Sequence, residues 1–149
     1  MAIKELLFNF SLILSASVFA NLIDFSRLKN LRFKIFLIGI IFGLISIVGM
    51  KYPLKLAEGL IFDGRSIILS VSSLFYGPIC GITAGLLSAA YRIYIGGPGA
   101  LVGVLVIFES IVVGLLFNYL STKKKITVNN FTLIFLNLIV HIIMYLLMF

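Results

Sequence analysis

The chain has 149 residues, of which 62% are hydrophobic and 11% charged, with a net charge of +7 and a mean hydropathy of +1.23. A soluble domain averages about 25% charged and about 45–50% apolar residues. There is too little polar surface here to cover a water-soluble globule, so the chain reads as an all-α, polytopic transmembrane helix bundle.

The charge lies in short loops between apolar runs, where Lys and Arg set topology. No nucleic-acid-binding motif accompanies it, and nucleic acid is not expected as a partner. The single Cys80 excludes an intrachain disulfide.

About six short, glycine-rich spans are expected, near residues 6–23, 35–50, 66–76, 78–93, 100–120 and 131–149. The first is longer than a signal-peptide core and lacks a good cleavage site, so it reads as a retained helix. Residues 24–34 carry four basic residues and one acid, the composition of a cytoplasmic loop. In the second span, Gly39 and Gly43 make a G-x-x-x-G at which another backbone can approach. Pro53 follows and stops the helix. In residues 54–64, Leu56, Leu60 and Ile61 could share one apolar face, which suggests a short interfacial segment.

The run from Ser66 to Ile93 has 28 residues, too many for one ordinary span of about 20. Gly77-Pro78 divides it, so it is either one kinked helix or two short helices in a hairpin. Two helices put seven basic residues on one side of the membrane against three on the other; one helix gives four against six. The more asymmetric, two-helix arrangement is preferred. It makes Gly77 and Pro78 the candidate hinge. It also puts loops 24–34 and 121–130 in the cytoplasm and the N-terminus outside. Gly81, Ala84, Gly85, Ser88, Ala89 and Ala90 suit the second helix to the centre of a bundle. Six spans would end the chain outside, so a sensor cut before its effector is expected.

Arg65, at the start of one hairpin helix, and Arg92, near the end of the other, come to the same membrane face. Intramembrane arginines usually face the protein interior and have a partner. Two guanidiniums beside the turn Gly96-Gly97-Pro98-Gly99 suit a small anion such as a carboxylate or phosphate. Pairing with Asp63 and Glu109, or snorkelling to headgroups, are the alternatives. Asp63 could cap the following helix or touch the ligand. Glu109, the one acid well inside a span, needs a partner or a proton. His141 stands without ligand-spaced companions, so no metal is expected. Tyr91 and Tyr94 suit the interface or stacking on Arg92. No nucleophile–base pair or nucleotide fingerprint occurs, and neither catalytic activity nor a cofactor is expected of this chain.

The F-D-G-R of Phe62–Arg65, Gly77-Pro78, Tyr91-Arg92 and the G-G-P-G-A of Gly96–Ala100 occur in that order between hydrophobic spans. Over roughly residues 5–122 this resembles the LytS-YhcK-type five-transmembrane receptor region, the membrane sensor part of some bacterial histidine kinases and diguanylate cyclases. The resemblance marks Asp63 and Arg65 as the family's D-x-R signature. It implies a signal-input domain in the cell membrane, working as a homodimer and coupled to a cytoplasmic kinase or cyclase module linked to cell-wall metabolism or cyclic-di-GMP. The sensor would hold a small extracellular anion with Arg65 and Arg92. Gly96 and Gly97 would let backbone approach the ligand, and Asp63 and Glu109 would orient the arginines. The alternative function is the substrate-binding membrane subunit of a small-molecule uptake transporter.

Overall fold

The computed structural model describes residues 30–51, 54–57, 60–62 and 64–148, together with Lys4, Leu7, Phe8, Ser11 and Ser15, which are helical. The expected first span, 6–23, lies largely outside the described residues, as do Asp63 and most of loop 24–34.

Helix α1 runs Leu31–Lys51, starting four residues before the expected boundary. Asn30 is the reason: its side-chain oxygen accepts hydrogen bonds from the backbone N–H of Arg32 at 3.0 Å and of Phe33 at 3.5 Å. These are amides that the first helical turn leaves without carbonyl partners. The end of the basic stretch is thereby drawn into the helix.

Strands β1 (Leu54–Ala57) and β2 (Leu60–Phe62) follow and pair antiparallel, Leu54 opposite Phe62. Leu56, Leu60 and Ile61, expected to share one apolar face, thus lie on paired strands. So short a segment cannot pay the nucleation cost of an isolated helix, whereas two short strands satisfy part of each other's backbone.

Helix α2 runs Arg65–Ile95 with a break at Gly77, whose φ of 74° and ψ of −163° only glycine adopts readily. The two halves fold back on each other. A Cβ on Gly81 would collide with the Ser73 side chain, and Arg65 and Arg92 line one cavity. In a continuous helix those arginines would stand about 40 Å apart. The break is therefore a hairpin, with Gly77 at its tip.

Helices α3 (Ala100–Thr122) and α4 (Asn130–Met148) complete the bundle. Among the described residues four helices are long and apolar enough to cross a membrane. The expected second, fifth and sixth spans are α1, α3 and α4, and the expected third and fourth are the two halves of α2.

Close backbone approach sets the order of packing. Gly39 of α1 faces Cys80 and Thr83, and Gly43 faces Ala84 and Leu87, so α1 runs alongside the second half of α2 in the same direction. Gly114 of α3 faces Ser70 and Ser73 of the first half, and Gly85 of the second half faces Ile107 and Ile111 of α3. The α2 hairpin thus lies between α1 and α3, the central position its small residues suit. One core joins Ile38, Phe42, Leu69, Ala84 and Ile107; a second joins Leu74, Phe117, Leu136 and Val140 of α2, α3 and α4.

These contacts fix the ends of the bundle. The Gly77 tip, the start of α1 and the Lys123–Lys125 loop lie at one end. Arg65, Arg92 and the turn before α3 lie at the other.

Candidate functional site

Arg65 is the first residue of α2 and is 92% buried, its relative exposure being 8%. The next residue, Ser66, sends its hydroxyl toward Met144 Sδ of α4 at 3.8 Å. That contact ties the hairpin's opening to the last helix.

Arg92 approaches from the other half of α2. Its Nη1 donates to the Gly96 carbonyl at 2.9 Å. Its aliphatic stem lies along the start of α3: a Cβ on Gly103 would stand 3.0–3.1 Å from Cδ and Cγ, and one on Gly99 would stand 3.4 Å from Nη2. Glycine at 99 and 103 is what lets the arginine lie flat against α3. Gly96 and Gly97 have φ of 69° and 90°, the left-handed conformations that turn the chain sharply from α2 into α3.

Together these groups enclose a cavity of about 380 Å³. Its polar end is formed by Arg65, Arg92 and the Gly96–Gly99 turn. Its remaining wall is apolar: Ile95, Val102, Val106, Met144 and Met148. The N-terminus of α3 adds the positive end of its dipole. No acidic residue lines the cavity among the described residues. Two guanidiniums and a helix N-terminus give this end of the cavity the donors and positive potential that an anion would require.

Four expected site residues are therefore gathered here: Arg65, Arg92, Gly96 and Gly97. Glu109 is not among them. It lies nearly a turn beyond Val106 on α3. Its Oε2 is 3.4 Å from Ser110 Oγ, and Oε1 is buried with no hydrogen-bond partner among the described residues. Asp63 lies outside the described residues. Among these, no three His, Cys, Asp or Glu side chains cluster as metal ligands would. His141 holds its Nδ1 2.7 Å from the Asn137 carbonyl. The Tyr91 and Tyr94 rings stack on each other at 6.3 Å.

Gly77 and Pro78 lie about 18 Å from Arg65, at the far end of the first half of α2. Here the structure adds a residue that the sequence reading passed over. Pro78 has no N–H and cannot donate to the Leu74 carbonyl four residues back. Asn118 of α3 donates instead, Nδ2 to Leu74 oxygen at 2.7 Å. An amide side chain inside an apolar span was the available signal.

The model of the family described as "5TMR of 5TMR-LYT" matches residues 16–149, a stretch that contains every element above and both arginines. The chain belongs to the 5TMR-LYT family. No curated protein and no solved structure matches it. As a 5TMR-LYT chain it is a LytS-type sensor region, the multi-pass membrane part of a signalling receptor. In 5TMR-LYT terms, Arg65, Gly77-Pro78 and Tyr91-Arg92 of the resemblance lie on α2, and Gly96–Gly99 form the turn into α3.

Proposed function

We propose that this sensor region binds a small extracellular anion, a carboxylate or phosphate, between Arg65 and Arg92, and passes the event to a LytS-like sensor histidine kinase as part of a homodimeric receptor. The observation that carries the reading is that two arginines 27 positions apart in sequence line one cavity. Intramembrane arginines by default mark functional sites, and two forked donor sets facing one cavity suit the oxygens of an anion. Asp63, two positions before Arg65, is assigned to orienting the arginines.

The side of the membrane follows from charge. The cavity lies at the opposite end of α3 from Lys123–Lys125, and Arg32 and Lys34 lie at the lysine end of the bundle. Basic loops stay in the cytoplasm, which leaves the cavity facing out. Ligand binding would draw the two halves of α2 together at their open end and shift the population of the Gly77-Pro78 joint.

Thermal stabilisation of the purified protein by small carboxylates and phosphates tests this. A ligand at 100 times its dissociation constant adds about 2.7 kcal/mol to stability. Arg65→Ala and Arg92→Ala should each abolish the shift. No shift with any anion, with variants that only unfold more easily, would make the arginines structural.

A further inference from the structure

The cavity has two chemically different ends, and the second one narrows the ligand class. We infer that the site takes an amphiphilic monoanion, a carboxylate head carrying an unbranched or lightly branched aliphatic tail. This rests on the anion-site reading above.

The volume comes first. At about 30 Å³ of liquid volume per water, a cavity of about 380 Å³ has room for on the order of ten heavy atoms. A phosphate or an acetate would fill only the arginine end. The rest would hold water against Ile95, Val102, Val106, Met144 and Met148. Those five side chains offer such water no strong hydrogen-bonding group. Water that finds few polar partners is readily displaced by apolar groups. Both nearby serine hydroxyls are turned elsewhere, Ser66 to Met144 Sδ and Ser110 back to the Val106 carbonyl.

Charge comes second. Among the described lining residues the cations all lie at one end, Arg65 across from Arg92. A dicarboxylate longer than a few atoms would have to push its second charge against the valine and methionine wall, where an unpaired carboxylate is strongly disfavoured. Two methionines also make that wall adaptable, since their unbranched side chains repack around tails of different shape.

The chemistry is shared by two sources: a free medium-chain acid arriving from outside, and a fatty acid entering from the surrounding bilayer. The experiment separates them. The protein in lipid nanodiscs is titrated with acetate, butyrate, hexanoate, octanoate and succinate. Each added methylene should tighten the dissociation constant about fourfold, levelling off when the cavity is full, with succinate weaker than butyrate. Val106→Thr keeps the volume but places a hydroxyl in the wall; it should flatten the chain-length dependence. Native mass spectrometry reads the source. A co-purified long-chain fatty acid, lost in Arg92→Ala, identifies the bilayer. Its absence together with a chain-length dependence identifies the outside acid.

Acetate and octanoate binding equally well, or succinate binding best, overturns the amphiphile assignment while leaving the anion site standing. No binding by any member of the series or by inorganic phosphate, with no co-purified acid, overturns both.

Discussion

Gly103 and Gly114 lie three turns apart on α3, and the same substitution should affect them differently. A methyl group at 103 meets the Arg92 stem, a flexible side chain that can move aside. Gly103→Ala should therefore leave the melting temperature nearly unchanged. It should also displace the guanidinium and, at about 1.5–3 kcal/mol for a hydrogen bond to a charged group, weaken anion binding tenfold or more, read by titration. A methyl group at 114 meets the Ser70 backbone and, at 2.8 Å, the Ser73 Cβ. Neither can yield without moving the hairpin, so Gly114→Ala should cost about 1–3 kcal/mol of stability in a ligand-free unfolding measurement. The buried serines teach a related lesson. Ser70, Ser72, Ser73, Ser88 and Ser110 each return their hydroxyl to a carbonyl three or four residues earlier, so they act as small packing units and form no polar path through the bundle. Small residues were readable in the sequence as a sign of close packing. The surroundings of Glu109 were not: its position suggested an arginine, whereas it accepts a hydrogen bond from the neighbouring Ser110 hydroxyl of its own helix.

The α2 hairpin depends on a glycine that can adopt φ 74° and on an amide borrowed from another helix. Asn118→Leu removes that amide and leaves the Leu74 carbonyl unsatisfied. Interhelical hydrogen bonds in membranes average about 0.6 kcal/mol and reach about 1.7, so the loss should be about 1 kcal/mol in unfolding from lipid. The hairpin itself is checked by cross-linking. With Cys80→Ala as background, Ser73→Cys and Gly81→Cys should form a disulfide on mild oxidation, because a Cβ at 81 stands 3.1 Å from the Ser73 Cβ. A continuous helix would hold the two positions about 12 Å apart and give no cross-link. Gly-Pro within an overlong apolar run was enough to suspect a break. The β-hairpin was harder to foresee, since apolar residues at 54–62 fit a helical face and paired strands equally well. Which side of α4 packs was also hidden: the helix is apolar all round, buries only Leu136 and Val140, and in lipid an outward face is as apolar as an inward one.

For the molecule as a whole, the direction of the bundle is the property to test. Pro98 is exposed at the cavity end and Lys124 is exposed at the other. With Cys80→Ala as background, Pro98→Cys should react with a membrane-impermeant maleimide on intact cells, and Lys124→Cys only after the membrane is opened. The reverse pattern would turn the cavity toward the cytoplasm. The bundle's central hairpin was legible from charge asymmetry and small residues together, because both are properties of the whole chain. The cavity's apolar wall was not, because it is assembled from α3 and α4, and Met144 and Met148 look like any other residues of a greasy last helix. This division of the cavity has a hereditary consequence. Both guanidiniums and the joint between them are encoded in one uninterrupted stretch of 31 codons, while the methionines that bound the far side are encoded some fifty positions downstream of Arg92. Recombination between relatives can therefore exchange one without the other. If the cavity binds as proposed, the segment that holds the charge can be kept while the segment that bounds the remainder of the ligand is replaced, and a lineage could change what it senses without rebuilding how it senses.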